Sequence, residues 1–402
     1  MSTGRGRRLL MIEQGGRGGV ADYTAELVEA LAAEGWRVTL ATAADHRFME
    51  IPGVRVVGVF HYTRGERRLA RALRERGLGK LVNGVRFLVA LPRLAWLAAR
   101  ADIAHSQGWE APQLGPPALG ALRLAGTPVV MTEHGMFSRA GSFRHLGDRA
   151  RRLTGWLAAR TIVHTEVDLQ RARATLGEKA VMIPHGDYGG LARRGGTHDR
   201  TAARAALGVP ADAHATLMYG QLRTDKGLDD LVAAVTQVPG AHLLVGGQDT
   251  GGLTAVREPL RALGERAVIR EGFLDMAQTA ELFAAADSVA LPYRVASQSG
   301  VLLLAYGFSR PVIVYPSGGM VEAVIDGETG WICRSPDLSS LVEAVGQEEC
   351  ARRGRRGAEF AEERFAWPVI ARTTGALYEE VLAGAVSRPL WRRRRRRREA
   401  AR

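Results

Sequence analysis

The chain has 402 residues, of which 46% are hydrophobic and 24% charged, so it is long enough for two domains and too apolar for global disorder. Its formal net charge of +13 is not spread: residues 64–100 and 388–402 carry +8 each, leaving the rest at −3, which excludes a uniformly basic nucleic-acid binder. Cys333 and Cys350 have no metal-ligand spacing and read as reduced thiols of a cytoplasmic protein.

The basic start, residues 1–8, leads into an apolar run too short for a signal-peptide core. Short apolar runs at 8–13, 38–42, 54–59, 103–105, 129–132, 161–164 and 180–183 then alternate with helical periodicity. This is the pattern of a parallel sheet covered by helices on both faces. The helix after the first strand places Tyr23, Leu27, Val28 and Leu31 at i, i+4, i+5 and i+8, a core-facing stripe. A basic amphipathic helix is expected around residues 64–76, and the apolar stretch 81–99 is broken by Asn83, Arg86, Pro92 and Arg93, so it does not read as a membrane span.

Periodicity stops at 189–204, where glycines stand among Arg and Asp, and a linker is expected there. A second series follows, with strands near 216–219, 242–245, 267–270, 289–292 and 312–315. The expected plan is therefore a first domain at 1–188, the linker, a second domain at 205–365, a helix at 366–385 packing back on the first domain, and an Arg-rich tail at 386–402.

Ligands of such sheets bind at the carboxyl ends of strands. Three glycine-bearing loops lie there: Gln14-Gly15-Gly16-Arg17-Gly18-Gly19-Val20, then Gly220-Gln221-Leu222-Arg223-Thr224-Asp225-Lys226-Gly227, then Ser297-Gln298-Ser299-Gly300-Val301 with Gly318-Gly319 beyond it. Glycines admit a ligand close to the backbone, and amides at a helix start favour phosphate oxygens. Arg223 and Lys226, three residues apart, can neutralise a diphosphate together. The dinucleotide fingerprint fails at Ala21, and neither a P-loop nor a G-x-S-x-G nucleophile elbow occurs.

These loops resemble those of glycosyltransferase family 4, the retaining GT-B enzymes, in the order Gly18-Gly19-Val20 with Tyr23, Thr132-Glu133-His134-Gly135, Ile183-Pro184-His185-Gly186, Arg223 to Gly227, Ser299-Gly300-Val301, Arg310-Pro311-Val312 and Gly318 to Gly330. The resemblance spans about residues 8–385. It implies an α/β GT-B fold, two Rossmann-like doubly wound domains facing across a cleft, and transfer of a sugar from a nucleoside-diphosphate sugar to an acceptor hydroxyl in glycan or glycolipid assembly. It assigns the acceptor to the first domain and the nucleotide sugar to the second.

It further implies that Gly18, Gly19, Gly220, Arg223, Lys226, Gly272, Phe273, Ser299, Gly300 and Val301 bind the donor, that Gly16, Tyr23 and His134 bind the acceptor, and that His134, Arg223 and Lys226 are catalytic. No metal or cofactor is expected, and the sequence holds no Asp-x-Asp with which to chelate one. The family's usual pair of glutamates falls at Ala296 and Leu304, so the ribose carboxylate and the one near the transferred sugar are missing.

The missing glutamates suggest a non-catalytic sugar-nucleotide binder or scaffold as an alternative, and a GT-B-like epimerase or phosphorylase is another, since it would share the fold and phosphate loops. The two basic segments suit an anionic membrane at the inner face, where a lipid-linked acceptor is met. A solvated helix face with a tail that binds any polyanion is the alternative, without specific nucleic-acid recognition.

Overall fold

A computed structural model describes residues 6–62, 79–109, 111–134, 144–194, 199–333, 338–346 and 348–386. The helix expected around 64–76, the tail beyond Val386, and Gly135 lie outside the described residues. The chain divides into two compact units, one of Met1–His164, Leu169–Pro184 and Trp367–Arg402, the other of Thr165–Asp168 and His185–Ala366.

In the first unit β1 (Arg8–Ile12), β2 (Arg37–Ala43), β3 (Val54–Phe60), β4 (Ile103–Ser106), β5 (Val129–Thr132), β6 (Arg160–Val163) and β7 (Ala180–Met182) make a parallel sheet in the order β3-β2-β1-β4-β5-β6-β7. Each strand lies within a residue or two of its expected place, because central parallel strands are buried on both faces and read as unbroken apolar runs. Helices α1 (Gly19–Ala33), α2 (Gly79–Ala98), α3 (Gly115–Leu124), α4 (Arg144–Leu157) and α5 (Glu166–Leu176) connect them. Right-handed crossovers send α1 to one face and α2, α3 and α4 to the other, since strand order reverses between β1 and β4. Tyr23, Leu27, Val28 and Leu31 are all 2% exposed or less, so α1 is held by its apolar stripe, each side chain contributing about 1.5–3 kcal/mol on burial.

The second unit holds α6 (Gly189–Arg194), α7 (Arg200–Leu207), α8 (Leu228–Gln237), α9 (Gly252–Ala255), α10 (Arg257–Ala262), α11 (Met276–Ala285), α12 (Gly300–Gly307), α13 (Leu338–Ala344) and α14 (Cys350–Phe365). Its strands β8 (Ala215–Tyr219), β9 (His242–Gly247), β10 (Ala267–Glu271), β11 (Ser288–Leu291), β12 (Val312–Val314) and β13 (Gly330–Ile332) run in the order β10-β9-β8-β11-β12-β13. β13 has no counterpart among the expected strands, being three residues at the end of a glycine-bearing turn.

In the stretch 189–204, expected as a linker, the described residues carry α6 and the first part of α7, and the unit boundary falls after Pro184. Their polar composition serves helix starts: Asp187 accepts the Gly189 amide at 2.9 Å, and Asp199 caps α7 by accepting the Ala202 amide at 3.1 Å. Helix α15 (Trp367–Val386) belongs to the first unit, packing on α1 with Ile370, Ala371 and Tyr378 in that core.

Candidate functional site

In each unit the strand order reverses beside the first strand, between β1 and β4 and between β8 and β11, the place at which open α/β sheets bind their ligands. The glycine-bearing loops picked out by sequence converge on both places.

In the second unit the β8 loop turns at Gly220, passes Arg223, and makes a short 3-10 turn at Thr224–Lys226 before α8. Gly227, with φ +71°, starts α8; a Cβ there would lie 2.2 Å from the Pro292 carbonyl oxygen, so only glycine lets the β8 and β11 loops meet backbone to backbone. Gly318, with φ +54°, makes the same approach to the Ala296 carbonyl at 1.8 Å, joining the β12 loop to them. Arg294 ties the arrangement with charge, reaching Asp229 at 2.7 Å, Asp230 at 2.9 Å and the Thr224 carbonyl at 3.2 Å.

The two expected cations are both held. The Arg223 guanidinium grips Asp225 through two nitrogens, Nε at 2.7 Å, and this bond holds the Asp225 carboxyl below its ordinary range. The Lys226 ammonium sits over the Tyr293 ring, 3.4 Å from its centroid. Tyr293 is 4% exposed; burial pushes its phenol up to about 12 while a hydrogen bond with Ser299 opposes the shift. Ser299 stands at the start of α12 and its side chain makes no capping bond there, so the first-turn amides, Gly300 and Val301 among them, keep their partial positive charge for an anion. Gly300 has a packing role as well, since Tyr188 ring carbons come within 3.0 Å of where a Cβ would stand.

Ala296 and Leu304 are buried in the apolar core, so no carboxylate occupies the positions left empty in the motif. Gly272, with φ +121°, ends β10, and Phe273 beside it is 73% exposed.

In the first unit the loop after β1 is organised by Glu13, which is 4% exposed. Its carboxylate accepts the Gly15 amide at 2.8 Å, the Gly16 amide at 2.6 Å and the Thr42 hydroxyl at 3.1 Å. The Gly16 amide is thus spent inside the protein. Gly18 and Gly19 differ: at the very start of α1, each has open space within 4 Å of where a Cβ would stand.

His134 follows β5, and the folding of four segments determines its setting. His164, buried and pushed down to about 4 by that burial, is neutral. Its Nδ1 donates to the Ile183 carbonyl at 3.0 Å, so its Nε2 accepts from His134 Nδ1 at 3.2 Å. His134 Nε2 lies 2.9 Å from Gln107 Oε1: an imidazolium donates at both nitrogens, and turning the amide lets a neutral ring accept instead. Tyr23, expected against the acceptor, is 2% exposed and stands edge-on to His134 with ring centroids 4.9 Å apart. It supports the histidine from within the core.

Glu13, Gln107, Asp225 and Tyr293 are functional candidates that the sequence reading does not single out. Glu13 has a local signal, an acid at a strand end immediately before a glycine turn; Tyr293 has one in following Pro292 at the next strand end; Gln107 has none. Among the described residues no three His, Cys, Asp or Glu side chains gather as metal ligands.

Two family profiles match the chain in tandem, the glycosyl transferase 4-like domain over residues 18–186 and the glycosyl transferases group 1 over residues 213–347. The chain is 30% identical over 324 residues to D-inositol 3-phosphate glycosyltransferase of Segniliparus rotundus, covering 74% of this chain and 69% of that protein. It is 29% identical over 296 residues to the Mycolicibacterium smegmatis protein of that name, covering 69% and 66%. Among solved structures, sucrose-phosphate synthase from Thermosynechococcus elongatus aligns with TM-score 0.73 at 23% identity over 94% of this chain and 100% of its own. Anabaena HepE in complex with UDP and glucose aligns with TM-score 0.70 at 19% identity over 92% and 99%.

Proposed function

Because this chain belongs to glycosyltransferase family 4 and is a glycosyltransferase of GT-B fold, we propose that it moves a sugar from a nucleoside-diphosphate sugar to an acceptor hydroxyl with retention at the anomeric carbon. The observation that carries the donor half is the seating of Lys226 on Tyr293 beside Arg223 and the start of α12. Departure of the diphosphate builds negative charge, and preorganised cations and amides stabilise that charge without having to reorganise. These groups do the work that a chelated metal does elsewhere. On this reading Phe273 offers its exposed ring to the base, and the leaving phosphate takes the acceptor proton.

On the acceptor side His134 and the Gly18-Gly19 loop, the unobstructed start of α1, orient the transferred sugar and the acceptor against each other. The relatives named for D-inositol 3-phosphate make a phosphorylated polyol the first acceptor to try, ahead of lipid-linked polyols. Purified protein given a panel of nucleoside-diphosphate sugars with such acceptors, with the product's anomeric configuration read by NMR, tests the reading. Inversion, or donor binding with neither transfer nor hydrolysis, would replace it; the second outcome favours the non-catalytic sugar-nucleotide binder that Ala296 and Leu304 leave open.

A further inference from the structure

We infer that the outer side of the α2–α3–α4 layer is a docking surface for an anionic lipid bilayer. This deepens the acceptor half of the reading above, and its test requires no turnover.

Helix α2 has two unlike faces. Phe87, Ala90, Leu94, Leu97 and Ala98 are buried against the sheet and α3. Leu81, Val85, Leu88, Val89 and Trp96, spaced i, i+4, i+7, i+8 and i+15, are exposed, Val89 by 73%. The helix is long and apolar enough to cross a membrane by length and composition, with a mean hydropathy of 1.4 over its best window. Its buried face fixes it to the sheet, so it lies along an interface rather than across one.

Cations edge the apolar stripe at a regular interval. Arg86, Arg93 and Arg100 recur every seven residues, and the Arg100 guanidinium stacks on Trp96 at 3.6 Å. The layer continues the pattern, because α3 packs against both α2 and α4. Leu124 on α3 is 92% exposed beside Arg123, and α4 exposes Leu153 and Trp156 with Arg149 and Arg152. Trp96 and Trp156 are the exposed tryptophans among the described residues, and indole rings favour the boundary between water and acyl chains.

The charge decides the occupant. Neither α2 nor α3 carries an acidic residue, and the one on α4, Asp148, lies 3.8 Å from Arg151. A second copy docked on the same face would bring two arginine rows together, which like-charge repulsion disfavours. Apolar ridges flanked by arginines on outward-facing helices suit a flat anionic surface that accepts side chains to shallow depth.

The full-length protein is floated with vesicles of phosphatidylcholine alone and of phosphatidylcholine with phosphatidylglycerol. Binding is expected only with phosphatidylglycerol, weakened by salt, and reduced by at least ~10-fold in both Arg86→Glu/Arg93→Glu and Val89→Asp/Trp96→Asp. A full-length chain with Arg392–Arg398 replaced by Gln is expected to keep the dependence on Val89 and Trp96. Circular dichroism melts check that the variants fold. Lipids brominated along the acyl chain supply a readout on the unsubstituted face: they are expected to quench tryptophan fluorescence, and Trp96→Phe/Trp156→Phe to abolish that quenching. Binding indifferent to the Val89 and Trp96 changes, binding that disappears with the tail arginines alone, quenching that survives in the double Phe variant, or self-association on this face in place of lipid binding would each overturn the inference.

Discussion

The Lys226 ammonium rests 3.4 Å from the centroid of the Tyr293 ring, so the cation of the β8 loop is seated on an aromatic face supplied by the β11 loop. The two loops meet where strand order reverses, and Gly227 permits the contact by leaving room for the Pro292 carbonyl. The ring gives the lysine an aromatic seat beside the Asp225 carboxylate, whose charge its ammonium also stabilises.

Tyr293→Leu is therefore expected to lower kcat/KM for the donor by about 10- to 30-fold, the range of a desolvated cation–π contact. Tyr293→Phe keeps the ring and loses only the bond with Ser299, costing about 1 kcal/mol. Steady-state kinetics in a Lys226→Ala background tell positioning from packing: an equal Leu penalty there would show that the ring does not act through the lysine.

Arg223→Ala and Lys226→Ala each remove a charge-assisted contact to the diphosphate. A loss of about 1.5–3 kcal/mol, or ~10- to 150-fold in kcat/KM, is expected with little change in melting temperature, since both side chains are half-buried in a loop and neither belongs to the apolar core. Wild-type turnover in either variant would remove that residue from the donor site.

Transfer is expected to persist in EDTA, because the diphosphate charge meets fixed cations and helix-start amides. Activity abolished by chelator and restored by magnesium or manganese would assign that work to a metal.

Glu13 holds two loop amides and the Thr42 hydroxyl from a buried position. Glu13→Ala strands those donors and is expected to cost about 2–4 kcal/mol in urea unfolding, with acceptor KM raised as the loop loosens. Glu13→Gln keeps one acceptor oxygen and should recover part of the loss. Unchanged stability in the alanine variant would mean that water replaces the carboxylate.

His105 and His164 give the first unit a pH dependence of stability. Burial pushes them down to about 3 and about 4, His105 being lowered further by His164. Unfolded, each takes up a proton near pH 6.5, whereas folded each stays neutral until far lower. Their contribution is therefore complete above about pH 6.5 and is lost as pH falls toward 4, at up to about 1.4 kcal/mol per pH unit for each ring. Denaturant melts of wild type and His164→Asn across that window measure it: the variant should show about half the slope, and an unchanged slope would place the linkage elsewhere.

Much of this protein is readable in its sequence because burial on both faces leaves a plain mark. Strands such as β1, β5 and β12 are largely apolar runs, the α1 stripe repeats at helical spacing, and glycines stand where loops must crowd at strand ends. The cations Arg223 and Lys226 are likewise visible, three residues apart in a glycine-bearing loop at a strand end, although a solvated charged turn reads the same way. β13 escapes such a reading because Gly330-Trp331-Ile332 closes a glycine-bearing turn and offers only two apolar residues in a row before Cys333.

Tertiary structure decided where Lys226 sits. Tyr293 takes it because the β8 and β11 loops become neighbours only when two non-consecutive strands pair, whereas Asp225 grips Arg223 from two residues away in the same loop. His134 owes its orientation to His164 and Gln107, 30 and 27 residues away along the chain. Within the polar stretch at 189–204 the described residues form α6 and the Asp199-capped start of α7 for a related reason: Asp and Gly serve a helix start as well as a linker, and packing such as that of α6 on α12 selects between them. Composition and periodicity report what a segment can bury, but which partners a polar group meets depends on contacts between segments distant in the chain, and no local pattern encodes those.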